Sequence, residues 1–203
     1  KELVSSDTNS NYAIKLNIFY TNADCLTNKR DELLFLLNRL DTKPSIIAIV
    51  EVNSKIAANN MQLSEFNIPG YFIYSANLGS PSHRGIIAYV HESLSVCQID
   101  FLDSFREYLF FRIKQQNKFL LTFGIIYRSP TSVSTNNTNL NDLIDNLKVK
   151  FPGKIMLVGD FNYRNIDWTH GCMETELSVN SHAVRFLNCL RNNNLTQHVL
   201  TPT

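Results

Sequence analysis

The sequence predicts an α/β domain built from two packed mixed β-sheets with helices on the outside. Three observations carry that prediction. A β-α-β pattern opens the chain, a β-rich stretch with polar turns fills its middle, and a second helix-then-strand pattern comes after it. At 203 residues the chain is long enough for one domain with a sizeable core. Hydrophobic residues are 44% and charged residues 18%, an ordinary globular composition that excludes a disordered or fibrous chain.

Residues 1–11 are polar and read as a disordered lead, with residues 12–203 as the domain. Lys15 to Tyr20 alternates polar and apolar, as a half-buried strand does. Thr21 to Thr27 is a polar turn. Asn28 is placed to open and cap a helix, with Asp31 favouring its positive start. Leu33, Leu34, Leu36, Leu37 and Leu40 then recur at helical spacing as one apolar face. After Pro44, Ile46 to Val50 is wholly apolar and reads as a buried strand. A unit of this length implies a parallel pair with a helical crossover.

Four β-rich runs come next: Tyr71 to Tyr74, Gly85 to Val90, Tyr108 to Ile113 and Phe119 to Tyr127. The polar turns between them predict an antiparallel meander. A polar loop, Ser129 to Asn139, leads to a helix with Leu140, Leu143, Ile144 and Leu147 on one face. This loop is read as solvated. Lys154 to Asn162 reads as a buried strand ending on a carboxylate. An irregular loop holding Trp168 and a helix with Ala183, Val184, Leu187 and Leu190 on one face complete the pattern.

The chemistry sits at strand ends. In open α/β sheets, ligands bind outside the carboxyl ends of the strands. There the sequence places Asn22, Glu51, Tyr127, and Asp160 with Asn162 two residues on. If these ends converge, they form a site rich in oxygen ligands, suited to a hard cation such as Mg²⁺ and to phosphate-ester hydrolysis. Each acid alone is equally readable as a loop starter or helix cap.

Other classes are excluded or disfavoured. The net charge of +1 does not advertise a polyanion partner, so a nucleic-acid reading rests on local charge. Cys25, Cys97, Cys172 and Cys189 form no CxxC pair and read as reduced thiols of a nuclear or cytoplasmic protein. No signal peptide or membrane-length apolar run is visible. His170, Cys172, His182 and Cys189 lack compact zinc spacing.

These residues also resemble a known family, the endonuclease/exonuclease/phosphatase superfamily. Within it they are most similar to the apurinic-endonuclease-like endonucleases of non-LTR retrotransposons. Leu16 to Asn22 resembles the family's opening strand and asparagine, and Ile46 to Glu51 the strand ending in its metal-binding glutamate. Arg84 to Val90 is similar to the RGGG(V/I)A(L/I)YV run, with Ile86 in place of a glycine. Gly124 to Pro130 resembles the tyrosine loop. Gly159-Asp160-Phe161-Asn162 with Ile166-Asp167-Trp168 matches the GDFN…IDW signature. Leu195 to Gln197 and Thr201 to Thr203 resemble the family's next segment.

The resemblance implies a four-layer, DNase I-like sandwich and a Mg²⁺- or Mn²⁺-dependent nuclease acting on DNA. It implies Glu51 as metal ligand, Asp160 as the group that positions or deprotonates water, and Asn162 as phosphate holder. Asn22 would sit in the metal and water network, and Tyr127 would donate to the scissile phosphate. Arg84 and Arg128 would contact phosphate, with ordinary surface ion pairs as the alternative. For Ser129 to Asn139 the alternative to a solvated loop is entry into a DNA groove. It also implies a longer polyprotein with a downstream reverse transcriptase.

The family carries a late Ser-Asp-His element, and none of His83, His91, His170, His182 or His198 follows Ser-Asp here. The expectation is therefore a domain lacking its last strands, poorly stable or inactive alone. A cooperative melt together with robust nicking would overturn it. The alternatives are a non-catalytic remnant that at most binds nucleic acid, or a phosphatase or phosphodiesterase of the same superfamily.

Overall fold

The computed structural model describes residues 15–54, 62–115, 118–168, 172–173 and 181–199. The expected disordered lead and His170 lie outside them.

Two β-α-β units frame the fold. The first is β1 (Ile18–Asn22), α1 (Leu26–Asn38) and β2 (Ile46–Val50), with β1 and β2 parallel. The second is β7 (Lys118–Tyr127), α2 (Ser134–Lys150) and β8 (Ile155–Asp160), with β7 and β8 parallel. Between them run β3 (Tyr71–Ala76), β4 (Ile86–His91), β5 (Ser95–Ile99) and β6 (Tyr108–Gln115). Among the described residues these strands form two four-stranded sheets, ordered β1-β2-β4-β3 and β5-β6-β7-β8. A short β9 (Ile166–Asp167) pairs with β10 (Cys172–Met173), and α3 (His182–Asn192) comes last.

Side chains alternate across each strand, so the two sheets sort their apolar residues into three cores. Ile46, Ala48, Val50 and Ile86 of the first sheet face Leu109, Phe111, Phe123 and Ile125 of the second. On the outer side of the first sheet, Ile47, Ile49, Ile87 and Tyr89 meet α1 and Phe66. On the outer side of the second, Phe110 and Ile126 meet Leu140, Leu143, Ile144 and Leu147 of α2 and Phe186 of α3. The result is the four-layer sandwich expected from the sequence.

Four local expectations need correction. First, β1 starts three residues later than the alternation suggests and ends on Asn22. Second, α1 begins at Leu26, not Asn28, and no side chain caps it. Leu26 is only 1% exposed, and its amide donates to the Val52 carbonyl at 3.0 Å, so burial and tertiary pairing set the start. Third, the α1 leucines do not form one buried face: Leu33 is buried, whereas Leu36 is 45% and Leu40 40% exposed. Fourth, the four middle runs divide between sheets: β3 and β4 join the first, β6 and β7 the second. The edge strand β5 has little apolar signal in the sequence, because most of its residues are exposed.

Candidate active site

The site forms where both parallel pairs end. Asn22 stands in register with Val50, the residue before Glu51, and Tyr127 in register with Asp160. Antiparallel strands reach the same edge by their beginnings. Gly85 and Arg84 precede β4, and Glu107 precedes β6.

The close approach of β8 to β7 depends on Gly159. Its φ is +145°, and an added Cβ would lie 1.8 Å from the Ile126 carbonyl oxygen. Glu51 sits at φ 54°, a left-handed conformation rarely adopted by a residue with a long side chain. Asp24, Cys25 and Asn162 also have positive φ, so four of the six such non-glycine residues described belong to this edge. Local strain of this kind gathers where tertiary contacts over-determine the backbone. Here the Cys25 amide donates to the Glu51 carbonyl at 2.8 Å and the Ala23 amide to the Val50 carbonyl at 3.0 Å.

Asn22 is the hub of the site. Its Nδ2 donates to Glu51 Oε1 at 2.8 Å and to Asp160 Oδ2 at 2.7 Å. Its Oδ1 accepts from the Asp24 amide at 3.0 Å, which fixes the orientation of the carboxamide. The Tyr20 hydroxyl donates to Asp160 Oδ1. Arg84 Nη2 reaches Glu51 Oε2 at 2.7 Å and Asp24 Oδ1 at 2.8 Å. Tyr127 bonds to Glu51 through its hydroxyl, and burial and the Glu51 charge push its pKa up, so it stays protonated. Burial and Asp160 do the same to Tyr20.

Asn22, Glu51, Tyr127, Asp160 and Arg84 are therefore brought together. Asn162 and Arg128 form a separate clasp beside them. Asn162 Nδ2 donates to the Arg128 carbonyl at 2.6 Å, and Arg128 Nη1 donates to the carbonyls of Phe161 and Asn162 at 3.0 and 3.1 Å. Arg128 is only 6% exposed, neither a surface ion pair nor a freely presented phosphate contact.

Sequence reasoning misses Tyr20, Asp24, Asn53 and Glu107. Tyr20 lies two residues before Asn22 on the same strand face, which is a readable signal. Asn53 organises the loop that delivers Arg84. It is 4% exposed, and its Nδ2 donates to the carbonyls of Asn77 and His83, both at 2.8 Å. Its Oδ1 accepts from the Gly79 amide at 3.0 Å, and its own amide donates to the Arg84 carbonyl at 2.7 Å. Glu107 Oε1 accepts from the Arg84 amide at 3.1 Å; burial raises its pKa.

Glu51 and Asp160 present the hard oxygen donors that Mg²⁺ prefers, and among the described residues they share one network with Asp24 and Arg84. Among the described residues no group of three or more His, Cys, Asp or Glu is arranged to hold a metal. Few protein ligands and several retained waters is the habit of Mg²⁺. Of the residues weighed for zinc, His170 lies outside the described residues. Cys189 is buried, with its thiol pushed up to about 12 by burial and Asp145.

No family model and no curated protein sequence matches this chain. Solved structures do. The endonuclease domain of TRAS1, a telomere-specific non-LTR retrotransposon, is 13% identical with a TM-score of 0.59. That match covers 91% of this chain and 74% of that one. A 3′ phosphatase, NExo from Neisseria, bound to a product DNA hairpin, is 16% identical with a TM-score of 0.56; the match covers 88% of this chain and 71% of the other. At such identities the likeness is one of fold. This chain therefore shares the fold of these two proteins.

Proposed function

We propose that this chain is a divalent-metal-dependent phosphodiesterase that nicks DNA, the endonuclease module of a non-LTR retrotransposon reading frame. The observation that carries the reading is Asn22 holding Glu51 and Asp160 together at the edge where the parallel strands of both sheets end. The fold likeness to the TRAS1 endonuclease domain supports it. A downstream reverse transcriptase in the same polyprotein belongs to this reading.

Glu51 would hold Mg²⁺ or Mn²⁺, which when bound would supply Lewis-acid charge at the scissile phosphate. Asp160 accepts the proton of the attacking water. Its two oxygens are oriented by the Tyr20 hydroxyl and the Asn22 amide, which is the positioning that this chemistry needs. The protonated Tyr127 hydroxyl is a donor for a non-bridging phosphate oxygen. Arg84 adds positive charge at Glu51, and Asn162 lies beside Asp160 to hold the phosphate. Cleavage of the P–O3′ bond leaves a 3′-hydroxyl, the primer end that reverse transcription requires.

The test is nicking of supercoiled plasmid in Mg²⁺, with EDTA as control. Glu51→Gln and Asp160→Asn should each lower the rate by roughly 10²-fold or more. Nicking by both variants at the parental rate would sink the reading. The likeness to a 3′ phosphatase favours a second reading, in which the same centre removes a terminal phosphate. Release of inorganic phosphate from a 3′-phosphorylated oligonucleotide, without nicking, would select it.

A further inference from the structure

Arg128 is a buried cation with only neutral partners. Its Nε donates to Asn137 Oδ1 at 2.6 Å, its Nη1 donates to two main-chain carbonyls, and its guanidinium lies 4.0 Å from the centroid of the Tyr163 ring. Among the described residues no carboxylate pairs with it. An uncompensated charge at 6% exposure is costly unless an anion approaches.

A cleft of about 400 Å³ opens over this charge, between Pro130, the Asn162–Asn165 turn and the start of α3. Arg164 stands exposed on its rim, also without a carboxylate partner among the described residues. Among the described residues no acid lines the cleft. Its floor is held in place, because Tyr163 stacks on Phe186 at 4.5 Å and Phe161 packs on the same ring at 5.2 Å. Asn162, two residues beyond Asp160, forms part of the wall, so cleft and catalytic centre adjoin.

We propose that this cleft is a subsite for a second, non-reacting phosphate of the nucleic-acid strand, contacted by Arg164 above the buried charge of Arg128. The proposal rests on the phosphodiesterase reading, since a strand that presents one phosphate to Asp160 carries others one nucleotide away. Such contacts set register without reading sequence. A cleft whose described charged residues, Arg128 and Arg164, are both positive is suited to them.

The full chain is titrated against a labelled DNA duplex by fluorescence anisotropy over a range of salt, without divalent metal, alongside the nicking assay. Arg164→Ala should weaken binding about tenfold. It should also reduce the slope of log affinity on log salt by about one. Arg164→Lys should keep the slope. Neutral methylphosphonates placed singly along the strand should weaken the parent at one position beside the cut, and leave Arg164→Ala indifferent there. An unchanged slope in Arg164→Ala, or equal losses in both proteins at every position, overturns the subsite. If the slope depends on Arg164 but nothing is nicked, the subsite stands and the hydrolytic reading fails. If the parent nicks and the slope does not respond, the reverse holds.

Discussion

The β1-α1-β2 and β7-α2-β8 units each deliver an acid to the site, Glu51 and Asp160, but they hold their strands by different means. In the second unit α2 presses Leu140, Leu143, Ile144 and Leu147 onto the sheet at 0% exposure. In the first, α1 buries Leu26 and Leu33 while Phe35 stays 59% exposed. The first unit compensates with polar links. Its connecting loops are tied by main-chain bonds from Ala23, Cys25 and Leu26, and Glu51 is held by Asn22 and Arg84. Helix packing therefore secures the unit that carries Asp160 more than the unit that carries Glu51, which leans more on hydrogen bonds in its loops. The halves should respond to different perturbations.

The largest expected effect lies in the packed half. Gly159→Ala puts a methyl group inside the space of the Ile126 carbonyl, and β8 cannot then lie against β7. The expected outcome is loss of folded, soluble protein, read by circular dichroism and a thermal melt. A melt like that of the parent would refute the close-approach argument. Next comes a paired measurement. Leu143→Ala should cost about 2–5 kcal/mol in urea unfolding. Leu36→Ala, at an exposed position of α1, should stay within about 0.5 kcal/mol. Equal losses would abolish the asymmetry between the halves.

The smallest effect is a pH dependence where the halves meet. Glu107 stands just before β6. Its main-chain carbonyl accepts from the Tyr127 amide, and its carboxylate accepts from the Arg84 amide. Burial raises its pKa above the ordinary 4.5, so the folded state keeps this proton longer than the unfolded state does. Stability from this group is complete below the ordinary carboxylate range and is lost as pH rises through the folded-state value. Glu107→Gln keeps the acceptor and removes the titration. Urea unfolding from pH 4 to 7 should show the parent losing ground to the variant as pH rises. Parallel curves would show that burial of Glu107 carries no such cost.

Much of the site was legible because its signals are local. Glu51 and Asp160 each close an apolar run, and Asn22 closes an alternating one, so strand period and strand end suffice to find them. The hidden residues act at a distance in sequence. Asn53 binds carbonyls 24 and 30 residues away, and Tyr20 meets Asp160 across 140. Arg128 misleads for the same reason. Its sequence neighbourhood is a polar loop, while its actual surroundings are Asn137, Tyr163 and the turn after β8.

By itself the sequence determined the two β-α-β units, the buried strands, the α2 face and the acids at the strand ends. These arise from side-chain periodicity and turn chemistry, which act over a few residues. Only the tertiary structure decided which sheet each middle strand joined, where α1 began, and that Asn22 bridges the two acids. It also decided that Arg128 is buried beneath a cleft rimmed by Arg164. Those outcomes depend on how two sheets pack face to face, and burial and hydrogen bonding across that packing have no local signature.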